Sequence, residues 1–237
     1  MIYQGTSANI TGTGTQIGTS AFNTSYVDNM YVGYMYESNQ VHGLTSSSTI
    51  KGVLDEWYQN NLTGVSDKID GNAGFCGDRQ PSTSLTTSNG NGGTGTAMTY
   101  YGGQLRLVES NAGPTFDCKS SSDLYTTSGS GAGNGKLAYP IGLITADETV
   151  YGGLLWGESN DSNYLYTRQG YWTISPAHFL TNISYARVFY VMPDGGLYNN
   201  GNDVDFKYGV RPVINLKADV SLTGTGTASD PYVVVGA

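Results

Sequence analysis

Charge is scarce in this chain, and positive charge scarcer. Only 13% of residues are Asp, Glu, Lys or Arg, and 11 cations against 19 anions leave a formal net charge of −8. With a pI near 4.5, binding dominated by nucleic-acid phosphates is excluded, because it needs many Lys and Arg contacts. So little charge also argues against an ordinary cytosolic enzyme. Histidine occurs twice, as His42 and His178, and cysteine twice, as Cys76 and Cys118. Neither cysteine sits in a CxxC pair, and two histidines are too few to complete a zinc site with them. Two readings of the cysteines remain. One is a disulfide closing roughly forty residues, worth about 3–4 kcal/mol in the loop-entropy model. The other is a pair of buried free thiols, common inside cells. Low Lys with abundant Thr and Tyr favours the disulfide and an oxidising compartment. No run reaches the roughly eighteen apolar residues of a membrane-spanning helix, and Met1-Ile2-Tyr3-Gln4-Gly5 lacks the basic and apolar regions of a signal peptide. The expectation is an extracellular, cell-surface fragment that does not insert into a membrane and whose anchoring segment is missing.

What the chain has in quantity is glycine, 34 of 237 residues, and tyrosine, 19. An acidic disordered chain would be charge-rich and aromatic-poor; this one is the reverse and should fold. Its length suits one large or two small domains with a sizeable core. TGTGT at 11–15 recurs at 223–227, with GGTGT at 92–96, but the irregular spacing reads as loops or edges rather than a solenoid. Residues 30–36 (MYVGYMY) have strand composition with an interrupting Gly. Ile50, Val53, Leu54, Trp57 and Tyr58 mark one apolar face of a helix. Ser48 or Thr49 can cap it, and Gly64 follows its end. A second helix is expected to start at Thr145, which makes a T-x-x-E capping box with Glu148, and to fade at Gly152-Gly153. Gln104 to Val108 alternates like a strand. Further strands are predicted at 171–175, 186–192, 209–216 and 232–235, with a turn at Asp194-Gly195. The fold class is therefore α+β: two helices on short, mostly antiparallel strands with long irregular loops.

Familiar catalytic patterns are missing. Gly135-Lys136 follows a glycine-rich run, but Ser130 and Leu137 stand where a phosphate loop needs Gly and Ser or Thr. No G-x-S-x-G elbow occurs, and neither histidine lies in a recognisable nucleophile context. Asp55-Glu56 and Asp147-Glu148 read as a solvated face and a capped helix start rather than a glycosidase pair. Asn202-Asp203-Val204-Asp205 lacks EF-hand spacing and reads as a solvated acidic turn. No catalysis, cofactor or metal is expected.

The segment 164–208 stands apart. It carries Tyr164, Tyr166, Tyr171, Tyr185, Tyr190, Tyr198, Tyr208, Trp172, Phe179, Phe189 and Phe206, interleaved with Asn182, Ser184, Asn199, Asn200, Gly201 and Asn202. Rigid aromatic anchors among small adaptable polar groups are the composition of an antibody paratope. Some of these rings must fill the core, since strands alternate in and out. Placing Ala186, Val188 and Phe189 inward leaves Tyr185, Arg187 and Tyr190 facing out.

Certain ordered residues resemble a known family. Tyr171-Trp172-Thr173-Ile174-Ser175-Pro176, Ala186-Arg187-Val188-Phe189, Asp194-Gly195 and Gly209-Val210-Arg211-Pro212-Val213-Ile214-Asn215-Leu216 follow one another. Helix 48–62, Phe75-Cys76-Gly77-Asp78-Arg79 and Tyr139-Pro140-Ile141-Gly142-Leu143-Ile144 fit the same pattern. Together, over roughly residues 30–235, they resemble the variable proteins of diversity-generating retroelements. Those have a C-type-lectin-like fold related to formylglycine-generating enzymes, and the closest likeness is to bacterial pilin-anchored surface proteins. The resemblance implies a polar segment at 1–29, an anchor remnant or an edge strand, and a single domain at 30–237 with a variable surface at 168–208. It implies a scaffold of Trp172, Ser175, Pro176, Val188, Val191, Gly195, Leu197 and residues 209–216. The implied receptor surface is Tyr171, Ala177, His178, Leu180, Asn182, Ile183, Tyr185, Arg187, Tyr190, Met192, Tyr198, Asn199, Asn200, Asn202, Val204, Phe206 and Tyr208. The Trp-Asn-Asp and Glu-Pro-Asn motifs of calcium-dependent lectins are absent, and Cys76 and Cys118 do not reproduce the enzymes' catalytic cysteines. Neither activity carries over. The function expected is adhesin-like binding of a protein or cell-surface ligand; the alternative is a structural pilus or surface-layer subunit whose aromatics make subunit contacts.

Overall fold

The computed structural model describes residues 1–6, 11–82, 92–109, 113–131, 133–182, 185–227, 229–230 and 232–236. In chain order its elements are β1 (Thr19–Ser20), β2 (Met35–Tyr36), β3 (Ser46–Ser47), α1 (Thr49–Asn61), β4 (Phe75–Cys76) and β5 (Thr99–Tyr100). There follow α2 (Gly102–Gln104), which runs on into a π turn at Leu105–Glu109, then β6 (Leu124–Tyr125), α3 (Ala146–Tyr151) and β7 (Tyr171–Leu180). Last come β8 (Tyr185–Val191), β9 (Leu197–Tyr198), β10 (Tyr208–Gly209), β11 (Leu222–Thr223) and β12 (Val233–Val234). The chain is a mixed α+β protein with mostly antiparallel pairing and few helices. No helix among the described residues is long and apolar enough to cross a membrane.

A six-stranded sheet runs β1-β10-β7-β8-β9, with β5 also pairing to β7. Its centre is the β7–β8 hairpin, buried on both faces. Alternation sends Trp172, Ile174, Ala186, Val188 and Tyr190 into one core with Ile50, Leu54 and Tyr58. The other face sends Tyr171, Ala177, Phe189 and Val191 into a second, smaller core with Leu154, Leu165 and Leu197. Full burial of each large apolar side chain contributes about 1.5–3 kcal/mol, so this double burial is the main support of the hairpin. Tyr190 therefore faces inward, contrary to the outward assignment, because it shares a strand face with Ala186 and Val188. β7 continues beyond Ser175 through Pro176, where the register against β8 shifts; a proline cannot donate to the ladder, and the irregularity accommodates it.

Both predicted helices are present. The Ser48 side chain accepts from Lys51 N at 3.2 Å to cap α1. Thr145 Oγ1 accepts from Glu148 N at 3.0 Å while Glu148 Oε2 accepts from Thr145 N at 2.7 Å, which completes the capping box of α3. Cys76 and Cys118 form a disulfide. Thr19–Ser20 is an edge strand on β10, and the Trp172 indole donates to Ser20 O at 2.8 Å. The Met192–Gly196 turn needs its glycine: Gly195 has φ 83°, and a Cβ there would meet Asn160 O at 2.3 Å.

Three predicted strands change. Gln104 to Val108 is helical, and that winding carries Arg106 to Asp78 and Asp147. Residues 30–36 begin as a 3-10 turn, Asn29–Val32, capped by the Asp28 carboxylate at 2.8 Å from Met30 N, and extend only at Met35–Tyr36. Beyond Gly209, residues 209–216 make isolated bridges only, Val213 with Ile2 and Gly142, and Leu216 with Ile69. Pro212 has no N–H for a ladder, and this stretch is held by scattered backbone hydrogen bonds, among them Val213 N to Gly142 O at 2.9 Å and Ile214 N to Met1 O at 3.0 Å, together with Arg211. Arg211 Nε donates to Tyr3 O at 3.1 Å, Nη1 to Leu165 O at 3.0 Å and Nη2 to the Gln4 amide oxygen.

Candidate functional site

Where β7, β8, β9 and β10 converge, four aromatic rings pack together. Tyr190 and Tyr208 stack with centroids 4.9 Å apart, and Trp172 meets them edge-on at 5.8 and 5.0 Å. Tyr198 lies 6.5 Å from Tyr190 in a second, looser stack. Such pairs add about 0.5–1.5 kcal/mol each beyond their area. The loop from Asn199 to Phe206 locks them from the side. The Asn202 amide donates to Tyr208 Oη at 2.5 Å and to Tyr190 Oη at 3.2 Å, and the Tyr190 hydroxyl donates to Asn200 O. Tyr208 Oη reaches Met192 Sδ at 3.6 Å. Burial, reinforced by Tyr190, pushes the Tyr208 hydroxyl up to about 12, so it stays protonated at physiological pH. The Tyr198 hydroxyl donates to Asp194 Oδ2 at 3.2 Å. The result is a preorganised ring stack edged by Met192, Tyr198, Asn200, Asn202 and Tyr208; Phe206, in the adjoining loop, is 50% exposed.

The expected receptor surface divides into three groups. Asn182, Asn200 and Phe206 are exposed; Leu180, Tyr185, Arg187, Met192, Tyr198, Asn202 and Tyr208 are half-buried. Ile183 lies outside the described residues. Tyr171, Ala177, His178, Tyr190, Asn199 and Val204 are buried, so their assignment as contact residues gives way to interior roles. Tyr171 donates to Leu165 O at 3.1 Å beneath the Arg211 guanidinium, 4.6 Å from its ring. Asn199 accepts from the Trp156 indole at 2.9 Å and donates to the Gln104 side chain. Val204 fills the larger core. His178 sits between β5 and β8, 5.9 Å from the Tyr100 ring; burial, with help from Arg187, lowers it to about 3 and keeps it neutral. The 202–205 turn is not simply solvated, because Asp203 is buried and its Oδ1 accepts from Arg187 Nε at 2.9 Å. That pair ties the loop to β8. Beside it Tyr185 packs edge-on against Tyr26 at 5.1 Å, with Arg187 over its ring at 6.0 Å. Tyr26 was invisible as a neighbour in sequence, being 159 positions from Tyr185.

A second polar cluster was missed. Asp147 lies in the first turn of the capped helix α3, as expected, but it is 4% exposed and its carboxylate has further partners. Arg106 Nη2 donates to Asp78 Oδ2 at 2.6 Å and to Asp147 Oδ2 at 2.8 Å, while Arg106 Nε donates to Asp147 Oδ1 at 3.0 Å. Thr115 N also donates to Asp147 Oδ1, at 2.9 Å. Burial lifts the Asp78 carboxyl to about 6 against the opposing pull of Arg106, with Asp147 and Asp123 reinforcing the rise. Two carboxylates thus converge on one guanidinium, in a cleft beside the disulfide. The only sequence signal was Asp78 and Arg106 as charges within weakly patterned stretches. Among the described residues no group of three or more His, Cys, Asp or Glu side chains is placed to hold a metal ion.

No family model, no curated protein and no solved structure matches this chain.

Proposed function

We propose that the chain is an extracellular ligand-binding domain with a C-type-lectin-like fold, whose recognition surface is the aromatic and amide rim over the Trp172–Tyr190–Tyr208 stack. One observation carries this reading: an interior ring stack, fixed by Asn202 and Ser20, holds partly exposed Tyr198 and Tyr208 beside Asn200 and Met192, with Phe206 exposed on the adjoining loop. Preorganised aromatics lose little conformational freedom on binding, and neighbouring amides supply adaptable hydrogen bonds. Little charge is needed for recognition of this kind.

The disulfide and the absence of a spanning helix among the described residues are compatible with an extracellular setting. The division of labour suits diversification by a retroelement. Positions such as Asn200 and Phe206 sit outside the packed rings, and exposed substitutions usually change stability by about 0.5 kcal/mol or less. The proposal makes the protein a non-enzymatic receptor for a protein or cell-surface ligand.

The locus provides the test. The proposal expects a nearby reverse transcriptase and a template repeat, with adenine-linked codon differences at Asn182, Asn200 and Phe206 and none at Trp172, Val188 or Leu197. Copies that vary evenly across core and rim would overturn it, as would a locus without those elements. In parallel, serine at the exposed Phe206 should weaken binding on an array of cell-surface proteins and glycans while leaving unfolding unchanged, and serine at Tyr198 should weaken it further at a cost of about 1 kcal/mol in stability.

A further inference from the structure

The cleft beside the Cys76–Cys118 disulfide is separate from the aromatic rim and shares none of its residues. It has a volume of about 110 Å³. Its walls include Phe75, Leu124, Leu143 and Val213, and Phe116 stands at its edge. Asp78, Asp117, Asp147 and Glu148 line it against a single guanidinium, Arg106.

The hydrogen bonds show which of these carboxylates has capacity to spare. Asp147 takes donors on both oxygens, from Arg106 and Thr115. Glu148 serves the capping box, and the exposed Asp117 pairs with Lys119. Asp78 differs. Its residue is 7% exposed, Oδ2 accepts from Arg106, and Oδ1 has no hydrogen-bond partner among the described residues. A buried carboxylate oxygen without a donor carries a desolvation cost of about 1–3 kcal/mol or more. One guanidinium also cannot neutralise two buried carboxylates. The missing element is one cationic donor.

The walls select among cations. A compact metal ion has no use for apolar and aromatic lining, whereas an organic ammonium gains from both. Phe116 is 70% exposed and lies parallel to Tyr151 at 4.1 Å, in a stack held by the Tyr151 hydroxyl on Pro114 O at 3.0 Å. Such a rigid aromatic pair beside a negatively charged cleft is an arrangement that attracts alkylammonium groups.

We infer that this cleft is a binding site for a primary ammonium on a short apolar chain, with Asp78 Oδ1 accepting its N–H and Phe116 covering its stem. The same chemistry is offered by a free alkylamine and by a lysine side chain.

The probe is n-butylammonium, titrated into the oxidised full chain at pH 7.5 and followed by amide chemical shifts. Saturable shifts should centre on Cys76, Thr115 and Phe116 and leave Phe206 unmoved. Tetramethylammonium, which has no N–H, should bind at least about tenfold more weakly. Asp78→Asn should weaken butylammonium by a similar factor. Phe116→Ala, at an exposed position that does not threaten folding, should weaken it about threefold or more. A lysine-containing tripeptide separates the sources: binding equal to that of butylammonium assigns the cleft to lysine side chains, and binding of butylammonium alone assigns it to free amines. Absence of saturable shifts would overturn the inference, as would affinity unchanged in Phe116→Ala or preference for tetramethylammonium. None of these outcomes depends on the aromatic rim, so failure here leaves the receptor proposal standing.

Discussion

Replacing Asp123 with alanine should be among the most damaging single changes in the protein. Asp123 is fully buried, and its carboxylate accepts from Arg79 N at 2.7 Å and Arg79 Nε at 2.9 Å, with His42 Nδ1 at 2.9 Å. Arg79 is 2% exposed, and its Nη1 donates to Met35 O at 2.7 Å and Gly43 O at 3.1 Å. Removing the carboxylate strands a guanidinium in the core and orphans a main-chain N–H. Breaking one side of a buried ion pair costs about 3–5 kcal/mol. The orphaned donor is part of the same disruption, so the two costs do not add. A loss of about 4 kcal/mol is expected, which for a chain of this size lowers Tm by roughly 10 °C. Urea and thermal unfolding monitored by circular dichroism measure it directly. Replacing both partners with apolar residues, Arg79→Met with Asp123→Leu, should recover part of the loss, because no charge is then left buried alone. A loss below about 1 kcal/mol for Asp123→Ala would refute the reasoning, since it would mean that Arg79 finds water or another partner.

Two further predictions concern the region around the cleft. Reducing the disulfide, or replacing both cysteines with serine, removes a cross-link spanning 42 positions and should lower stability by about 4 kcal/mol, read as a drop in urea midpoint; an unchanged midpoint would show that the bridge constrains nothing. Asp78 should also give a pH signature. Its folded value of about 6 lies above the ordinary 3.8. The folded state holds the extra proton, so the destabilisation from a charged Asp78 is full above pH 6 and fades as pH falls through that value. It is gone below 3.8. Burial chiefly sets this value; of the neighbouring charges Arg106 opposes the rise, and Asp147 and Asp123 reinforce it. Wild type measured against Asp78→Asn should therefore gain about 2 kcal/mol between pH 7 and pH 4. A flat difference across that window would sink the assignment.

The elements legible in sequence were those with local causes. Ser48 before an i, i+3, i+4 pattern marked α1, and Thr145 with Glu148 marked α3, because caps and periodicity involve neighbours within a few positions. The alternation of Gln104 to Val108 misled, since the same polar and apolar spacing also suits a helical turn whose Arg106 is drawn to distant carboxylates. The tyrosine concentration correctly marked an aromatic assembly. It did not separate Tyr171 and Tyr190, which became core, from Tyr198 and Tyr208, which stayed at the rim. That distinction depends on whether another layer covers a strand face, and both faces of the β7–β8 hairpin are covered.

By itself, then, the sequence determined the α+β class, both principal helices and their caps, the turn at Gly195, and an acidic, charge-poor composition. These follow from local sterics, hydrogen bonds and composition. Only the tertiary structure decided that Tyr26 meets Tyr185, that Arg187 pairs with Asp203, and that Arg106 gathers Asp78 and Asp147 into one cleft. Those contacts join residues brought together by folding, and the burial that makes their charges matter exists only once the layers have closed over them.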